Sequence, residues 1–360
     1  MESGMCLDEL RSKIDQLDEQ IVRLINERAL ITREIGEIKR QSNSPVYIPG
    51  REEEVYRRVA ALNAGPMRDE AITAVFREII SGCRRTQLDL RVCFLGPQAT
   101  FTEFAARQKF GAAMQYYPAR TIGRVFAEVD TAEADYGVVP VENSTEGSVS
   151  DTLDNLMEYE VRISAEILME IHHALVARCT MDSIRAVYSK PEAIAQCRTW
   201  LSHNLPEAEL RSVASTAEAA MIAAKEEHAA AIAHRMAASV YDLNIIHSSI
   251  EDMAKNTTRF LVLGHSTGKA TGSDKTSLMF TIPHQAGALY DALMPFKANG
   301  INLANIMPRP SRKRSWEYCF FVDLFGHMDD PSVRQALEDL RKFAIIVKVL
   351  GSYPTAQMPE

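Results

Sequence analysis

From Leu10 onward, large aliphatic residues recur at alternating four- and three-residue steps: Ile14, Leu17, Ile21, Leu24, then Ile31, Ile35 and Ile38. That spacing draws one apolar stripe along a helix running from about Leu7 to about Gln41. The stripe breaks once, at Arg28, where the rhythm calls for an apolar residue. A guanidinium on a seam meant for burial is costly unless an opposite charge meets it, so an anionic partner is expected there. At ~1.5 Å per residue the helix spans roughly 50 Å, more than a small domain covers with its own residues, and a second copy of the chain is expected along it. Lys39 follows Arg28 by eleven residues, about three turns, so both cations project from nearly the same face. Arg11 lies roughly a quarter-turn off that face and could complete the cluster from an antiparallel partner. Taken singly, Arg11 and Lys39 also read as solvated surface charges.

A Pro-containing loop ends at Gly50, and a short helix opens on Arg51 and Glu52 with Val55, Val59 and Leu62 on one face. After the Gly65-Pro66 break a third helix runs from about Asp69 to Leu88, its stripe Ile72, Phe76, Ile79, Ile80 and Cys83 continued by Gln87. A neutral amide beside buried cations suits a small polyanion carrying an uncharged acceptor oxygen. With Arg11, Arg28, Lys39, Arg51, Glu52 and Gln87 at their spacings, this plan resembles the all-α chorismate mutase domain that forms an intertwined homodimer. The resemblance implies that these positions hold the two carboxylates of chorismate. It also implies that Lys39 and Gln87 hydrogen-bond the ether oxygen that breaks away as prephenate forms. No nucleophile, acid or cofactor is then required, because holding a reactive conformer and stabilising the developing oxygen charge suffice. Ile48 stands where the family often has Asp, removing a contact to a substrate hydroxyl, and Cys83 stands where it often has Ser, among the substrate-binding positions.

Helical periodicity stops near Leu90, and Val92 to Leu95 form a short apolar run into Gly96-Pro97, as a first buried strand would. Strand and helix signals then alternate: helix Phe101 to Phe110, strand Tyr136 to Val141, helix Ser150 to Met157, strand Ala186 to Ser189, helix Pro191 to Leu201, strand Arg259 to Leu263. The alternation predicts an α/β layer fold with mostly parallel strands and a ligand site in the loops at strand ends. Three loops are rich in hydroxyls and amides: Gly96 to Thr102, Pro140 to Gly147, and Asn256 to Phe260. Each alone reads as turn or capping chemistry, with Thr100 or Thr102 and Ser150 as N-caps. Together, with Ser189-Lys190-Pro191 and Gln196 to Leu201, they resemble prephenate dehydratase over about Arg91 to Gly264. The resemblance implies a two-lobed fold like type 2 periplasmic binding proteins, closing on substrate between the lobes. It makes Thr258 the hydrogen-bonding partner of the departing ring hydroxyl and Arg259 a carboxylate ligand. Asn143, Ser144 and Thr145 would grip the pyruvyl or ring carboxylate, and Thr100 would join them. Arg259 reads equally as an outward strand charge.

A linker from Ser266 to Asp274, rich in Gly, Ser and Thr, precedes a strand (Leu278 to Ile282), a helix (Gly287 to Phe296) and two strands (Ile301 to Met307, Tyr318 to Leu324). A helix (Ser332 to Phe343) and a strand (Ile345 to Leu350) follow. This βαββαβ order implies an α+β, ferredoxin-like fold. The turn Gly287-Ala288-Leu289 and the run Glu317 to Asp323 resemble the ACT regulatory domain, which implies L-phenylalanine as effector at a dimer interface, held by Gly287, Ala288, Leu289 and Arg309. Met307-Pro308-Arg309-Pro310 stands where that family usually has Glu-Ser-Arg-Pro, which implies weaker effector binding. The expected domains are 1–90, 91–267 and 275–355.

At 360 residues the chain suits two or three domains. A formal net charge of -8 disfavours a nucleic-acid-binding surface, so its anion sites must be local clusters. No stretch approaches the roughly 18 apolar residues of a membrane span, and an N-terminus with Glu2, Asp8 and Glu9 is no signal peptide. The six cysteines (Cys6, Cys83, Cys93, Cys179, Cys197, Cys319) have no paired metal-ligand spacing, which fits reduced thiols in a cytoplasmic protein with no metal. The expectation is a cytoplasmic, homodimeric, bifunctional enzyme taking chorismate to prephenate and prephenate to phenylpyruvate. An arogenate-preferring dehydratase and a non-catalytic two-lobed sensor are the rivals.

Overall fold

The computed structural model describes residues 7–41, 49–253, 256–310 and 318–356; Cys6, Ile48 and Glu317 lie outside the described residues. Two compact units divide the chain, one reaching to Leu90 and including Phe110–Gln115, the other comprising Arg91–Lys109 and Tyr116 onward.

The first unit is helical: α1 (Leu7–Gln41), α2 (Pro49–Leu62) and α3 (Asp69–Arg85). Asp8 and Glu9 open α1 and Lys39 and Arg40 close it, each sign matching the dipole at its end. The apolar stripe of α1 is left largely exposed by the described residues: Ile14 is 57% exposed, Leu24 60% and Ile38 65%. Gly36 is the buried residue of α1. A Cβ there would come within 2.8 Å of the Gln87 Cγ, so the absence of a side chain lets the end of α3 close on α1. Arg28 is half-buried and forms no ion pair among the described residues.

Among its described residues the second unit holds three sheets. The first is six-stranded, in the order Gln115–Ala119, Arg91–Leu95, Tyr136–Asn143, Thr257–Gly264, Arg162–Glu170, with Gly147–Ser148 paired to Tyr136–Asn143. The second is five-stranded, in the order Asn244–His247, Ala174–Ala177, Ala229–Ala233, Ala186–Ser189, Glu209–Ser212. The strands are mixed, not mostly parallel: Thr257–Gly264 runs antiparallel to both neighbours, and Ala174–Ala177 is antiparallel to Ala229–Ala233. The chain leaves the first sheet after Arg162–Glu170, builds the second, and returns as Thr257–Gly264, so no strand-helix-strand crossover fixes its direction.

The third sheet is antiparallel, ordered Leu303–Pro310, Tyr318–Phe325, Asp274–Thr281, Ile346–Pro354. Along its strands Asp274–Thr281 and Tyr318–Phe325, alternation buries residues on both faces. Leu278, Phe280, Val322 and Leu324 pack on the helices Ala288–Ala298 and Pro331–Leu340 through Phe296, Leu337 and Leu340. Met279, Phe321, Leu350 and Tyr353, from the opposite face, share a core with Val141, Leu153, Ile163 and Leu261 of the first sheet's layer. Gly351 sits where the sheets touch, and any Cβ there would collide with the Ile163 backbone. No helix among the described residues is long and apolar enough to cross a membrane, and none of their His, Cys, Asp and Glu form a metal-binding group.

Candidate active sites

The helical unit carries an open cavity of about 220 Å³ lined by Arg28, Lys39, Arg51, Arg58 and Arg84 against one carboxylate, Glu52, with Cys83, Thr32 and Gln87. Arg28, Lys39, Arg51, Glu52, Cys83 and Gln87, all named from the sequence, thus meet in one place. Arg11 does not: it is exposed near the start of α1, 3.4 Å from Asp8. Arg84, which the sequence reading passed over, is buried and ion-paired to Glu52. The second Glu52 oxygen is buried without a hydrogen-bond partner among the described residues. Burial first, then the Arg84 charge, lowers the pKa of Lys39. Gln87 Nε2 donates to the Thr32 carbonyl at 2.6 Å, which fixes the amide and leaves a second N–H to donate. Cation-rich and amide-tipped, this cavity suits a dianion with an acceptor oxygen between its charges.

In the second unit a cleft of about 970 Å³ is lined by residues of the first and second sheets, among them Thr100, Phe101, Asn143, Glu146, His173, Lys190, Gln196, Asn256 and Thr258. A chain of hydrogen bonds orders its floor. Asn143 Nδ2 donates to Thr258 Oγ1 at 2.7 Å and to Asn256 Oδ1 at 2.8 Å. Asn256 Nδ2 donates to Gln196 Oε1 at 3.0 Å, so that oxygen accepts, and the facing His173 Nε2 at 2.8 Å carries a hydrogen. Burial lowers the pKa of His173, keeping the ring neutral at pH 7. Because Thr258 Oγ1 already accepts from Asn143, its own O–H is left to donate into the cleft.

The neighbouring expectations change. Asn143 Oδ1 accepts from Thr145 N, Thr145 Oγ1 and Glu146 N, and Ser144 Oγ accepts from Thr257 N. Ser144 and Thr145 therefore build the turn that aims Asn143, and neither lines the cleft. Thr100 lines it while also capping, its Oγ1 accepting from Glu103 N at 3.3 Å.

Arg259 is the clearest correction. Thr258 and Phe260 face the cleft, so the residue between them faces the other way. Its Nε lies 2.8 Å from Glu166, its Nη1 2.5 Å from Asp323 and its Nη2 2.9 Å from Tyr353 Oη, all buried. It is neither a substrate ligand nor an outward charge; it ties the first sheet to the third. Arg309 is a second correction. Its strand alternates half-buried and exposed positions, and its guanidinium grips Asp154 at 2.9 Å through two nitrogens and Ser150 at 2.7 Å. Met307, on the same face, packs into the shared core. Gly287, Ala288 and Leu289 instead line a separate cavity of about 190 Å³ with His284, Tyr290, Tyr318 and Phe320. Gly287, at φ 85°, caps the helix in a left-handed conformation that favours glycine.

Three family profiles match the chain: chorismate mutase type II over residues 10–88, prephenate dehydratase over 92–268, and ACT domain over 276–342. A bifunctional chorismate mutase/prephenate dehydratase of Aquifex aeolicus is 47% identical, covering 98% of this chain and 99% of the relative. The enzyme of the same name from Pseudomonas aeruginosa is 43% identical over 97% and 98%. The chain belongs to the bifunctional chorismate mutase/prephenate dehydratase family. A solved prephenate dehydratase from Arthrobacter aurescens, in complex with L-Phe, covers 75% of this chain and 92% of its own length at 35% identity and a TM-score of 0.70.

Within this family frame, sequence reasoning missed Arg84, His173, Asn256 and the bridging role of Gln196. Arg84 looks like a helix-terminal surface charge, and its only signal is position, one residue past Cys83 on the third helix. The amides lie within segments rich in hydroxyls and amides, and nothing in the sequence marks them as linked.

Proposed function

We propose that the chain rearranges chorismate to prephenate in its helical unit and converts prephenate to phenylpyruvate in the cleft. The observation that carries this reading is the presence, in one chain, of two unlike donor sets. One is the cation ring with Gln87; the other is the amide chain ending on the Thr258 hydroxyl.

In the first step Arg28, Arg51 and Arg84 hold the dianion in its reactive conformer. Lys39 and Gln87 donate to the ether oxygen as its carbon bond lengthens, and no group on the protein is consumed. Glu52 accepts from a substrate hydroxyl. The exposed stripe of α1 pairs with a second copy, whose Arg11 completes the cavity. In the second step the bond from the ring to its carboxylate breaks, that electron pair enters the ring, and hydroxide leaves as the ring becomes aromatic. Thr258 donates to the departing oxygen, held in line by Asn143, Asn256, Gln196 and neutral His173.

The two-sheet cleft reads as a two-lobed binding-protein-like fold, and the third sheet with its two helices reads as a ferredoxin-like regulatory domain. The units 1–90, 91–267 and 275–355 form a homodimeric, cytoplasmic enzyme. L-phenylalanine is the effector, taken up at Gly287, Ala288 and Leu289, as supported by the L-Phe bound to the Arthrobacter relative. Purified protein supplied separately with prephenate and arogenate tests the reading: prephenate should yield phenylpyruvate at an enzymatic rate. Turnover of arogenate alone would make it an arogenate dehydratase, and turnover of neither would leave a sensor.

A further inference from the structure

The reaction in the cleft begins from a dianion, yet the arginine nearest Thr258 in sequence is sealed into ion pairs with Glu166 and Asp323. The cations lining the cleft among the described residues are Arg120 and Lys190, set against Glu146, Glu192 and Glu218. Lys190 is already shared between carboxylates, 3.5 Å from Glu192 and 3.9 Å from Glu146. Arg120 is exposed and forms no ion pair among the described residues. Its backbone, however, is fixed from both sides. Ala119 O before it accepts from Gly96 N at 2.8 Å, and Thr121 after it caps the Ile122–Asp130 helix through Arg124 N at 3.2 Å. The guanidinium therefore springs from an anchored point beside the Gly96-Pro97 wall of the cleft.

We infer that Arg120 is the anchor for the substrate's pyruvyl carboxylate, an inference that rests on the dehydratase reading of this cleft. The chemistry chooses between the two carboxylates. The ring carboxylate surrenders its charge as carbon dioxide leaves, so a cation clamped to it would hold the ground state better than the transition state and slow the step. The pyruvyl carboxylate keeps its charge throughout. A planar guanidinium can grip it through two parallel hydrogen bonds equally well before and during reaction. Such uniform binding lowers KM and leaves kcat alone.

The full-length protein with Arg120→Gln or Arg120→Lys tests this. Arg120→Gln should raise KM for prephenate about 30-fold, with kcat held within about twofold. Phenylpyruvate retains only the pyruvyl carboxylate, so its inhibition constant as product should rise by the same factor as KM. Arg120→Lys should recover part of both losses, and mutase turnover in the same samples should match wild type, reporting an intact chain. An unchanged KM overturns the inference. So does a KM that rises while product inhibition stays put, which would assign Arg120 to the departing carboxylate. A wild-type protein inert toward prephenate would overturn the dehydratase reading itself, and the inference with it.

Discussion

On the proposed reading, the two sites hold anionic substrates with different chemistry. Around the helical cavity the facing groups are charged, Arg28, Lys39, Arg51, Arg58 and Arg84 against Glu52, whereas the floor of the cleft is a relay of neutral groups, His173, Gln196, Asn256, Asn143 and Thr258. Charge serves a pericyclic step, in which nothing leaves and the substrate's own charges need only be held. Neutral donors serve a step in which a carboxylate sheds its charge as carbon dioxide, so a fixed cation on that group would hold the ground state better than the transition state, while a hydroxyl donor still helps the hydroxide depart. Arg259, buried on the strand that carries Thr258, faces away from the cleft and into ion pairs with Glu166 and Asp323.

That contrast breaks most visibly at Arg259. Arg259→Met leaves Glu166 and Asp323 buried without their shared partner, and should destabilise the second unit by about 3–5 kcal/mol in urea unfolding. Mutase turnover should persist. A loss below about 1 kcal/mol would mean that Lys275, already 2.8 Å from Glu166, neutralises the site by itself.

Next in size is Thr258. Thr258→Val keeps the shape and removes the donor, so dehydratase kcat should fall about 10²- to 10³-fold, while Thr258→Ser should stay within about tenfold of wild type. Equal rates for the two variants would exclude the hydroxyl from the reaction.

A smaller effect tests the charged site. Gln87→Glu should lower mutase kcat/KM at pH 7 by about tenfold or more and recover on acidification, as the new carboxyl takes up a proton. Wild type should stay level through neutrality and decline only on the alkaline side. That decline should come below pH 10.5, since burial and Arg84 lower the Lys39 pKa and its ammonium is lost earlier than an ordinary lysine's. A variant profile superimposable on wild type would remove Gln87 from the ether oxygen.

The smallest effect concerns acid stability. Burial pushes His234 down to about 4 and lowers His173 as well. Folded, these rings refuse the protons that unfolded histidines accept from 6.5 downward, so their contribution is full above that pH and is lost as pH falls toward 4. Tm of the dehydratase unit should drop a few degrees, about 1 kcal/mol, between pH 7 and pH 5, and His234→Asn should flatten the slope. A slope unchanged in that variant would locate the acid sensitivity elsewhere.

The sequence carried the helical unit almost whole, because one face of α1 repeats for 35 residues and Arg28 interrupts it where an apolar residue belongs. The third sheet's order was readable for the same reason, alternation bounded by turns. The second sheet was not. Ala229–Ala233 is fully buried yet composed mostly of alanine, which lacks the branched or aromatic shape that marks strands, so tertiary packing alone makes it one. Arg259 and Arg309 were misread for another reason: alternation tells which residues share a face but not which face meets the ligand and which meets a neighbouring sheet. Only the fold reveals that Asp323 and Asp154 wait behind those strands.

The central claim is that one chain runs two chemistries in two separate sites, and progress from chorismate in paired variants tests it most directly. Lys39→Ala should form little prephenate from chorismate, down by about 10²-fold or more, yet turn supplied prephenate into phenylpyruvate at the wild-type rate. Thr258→Val should do the reverse and accumulate prephenate. If either substitution abolished both conversions in a folded protein, the two sites would not be independent and the account would be wrong.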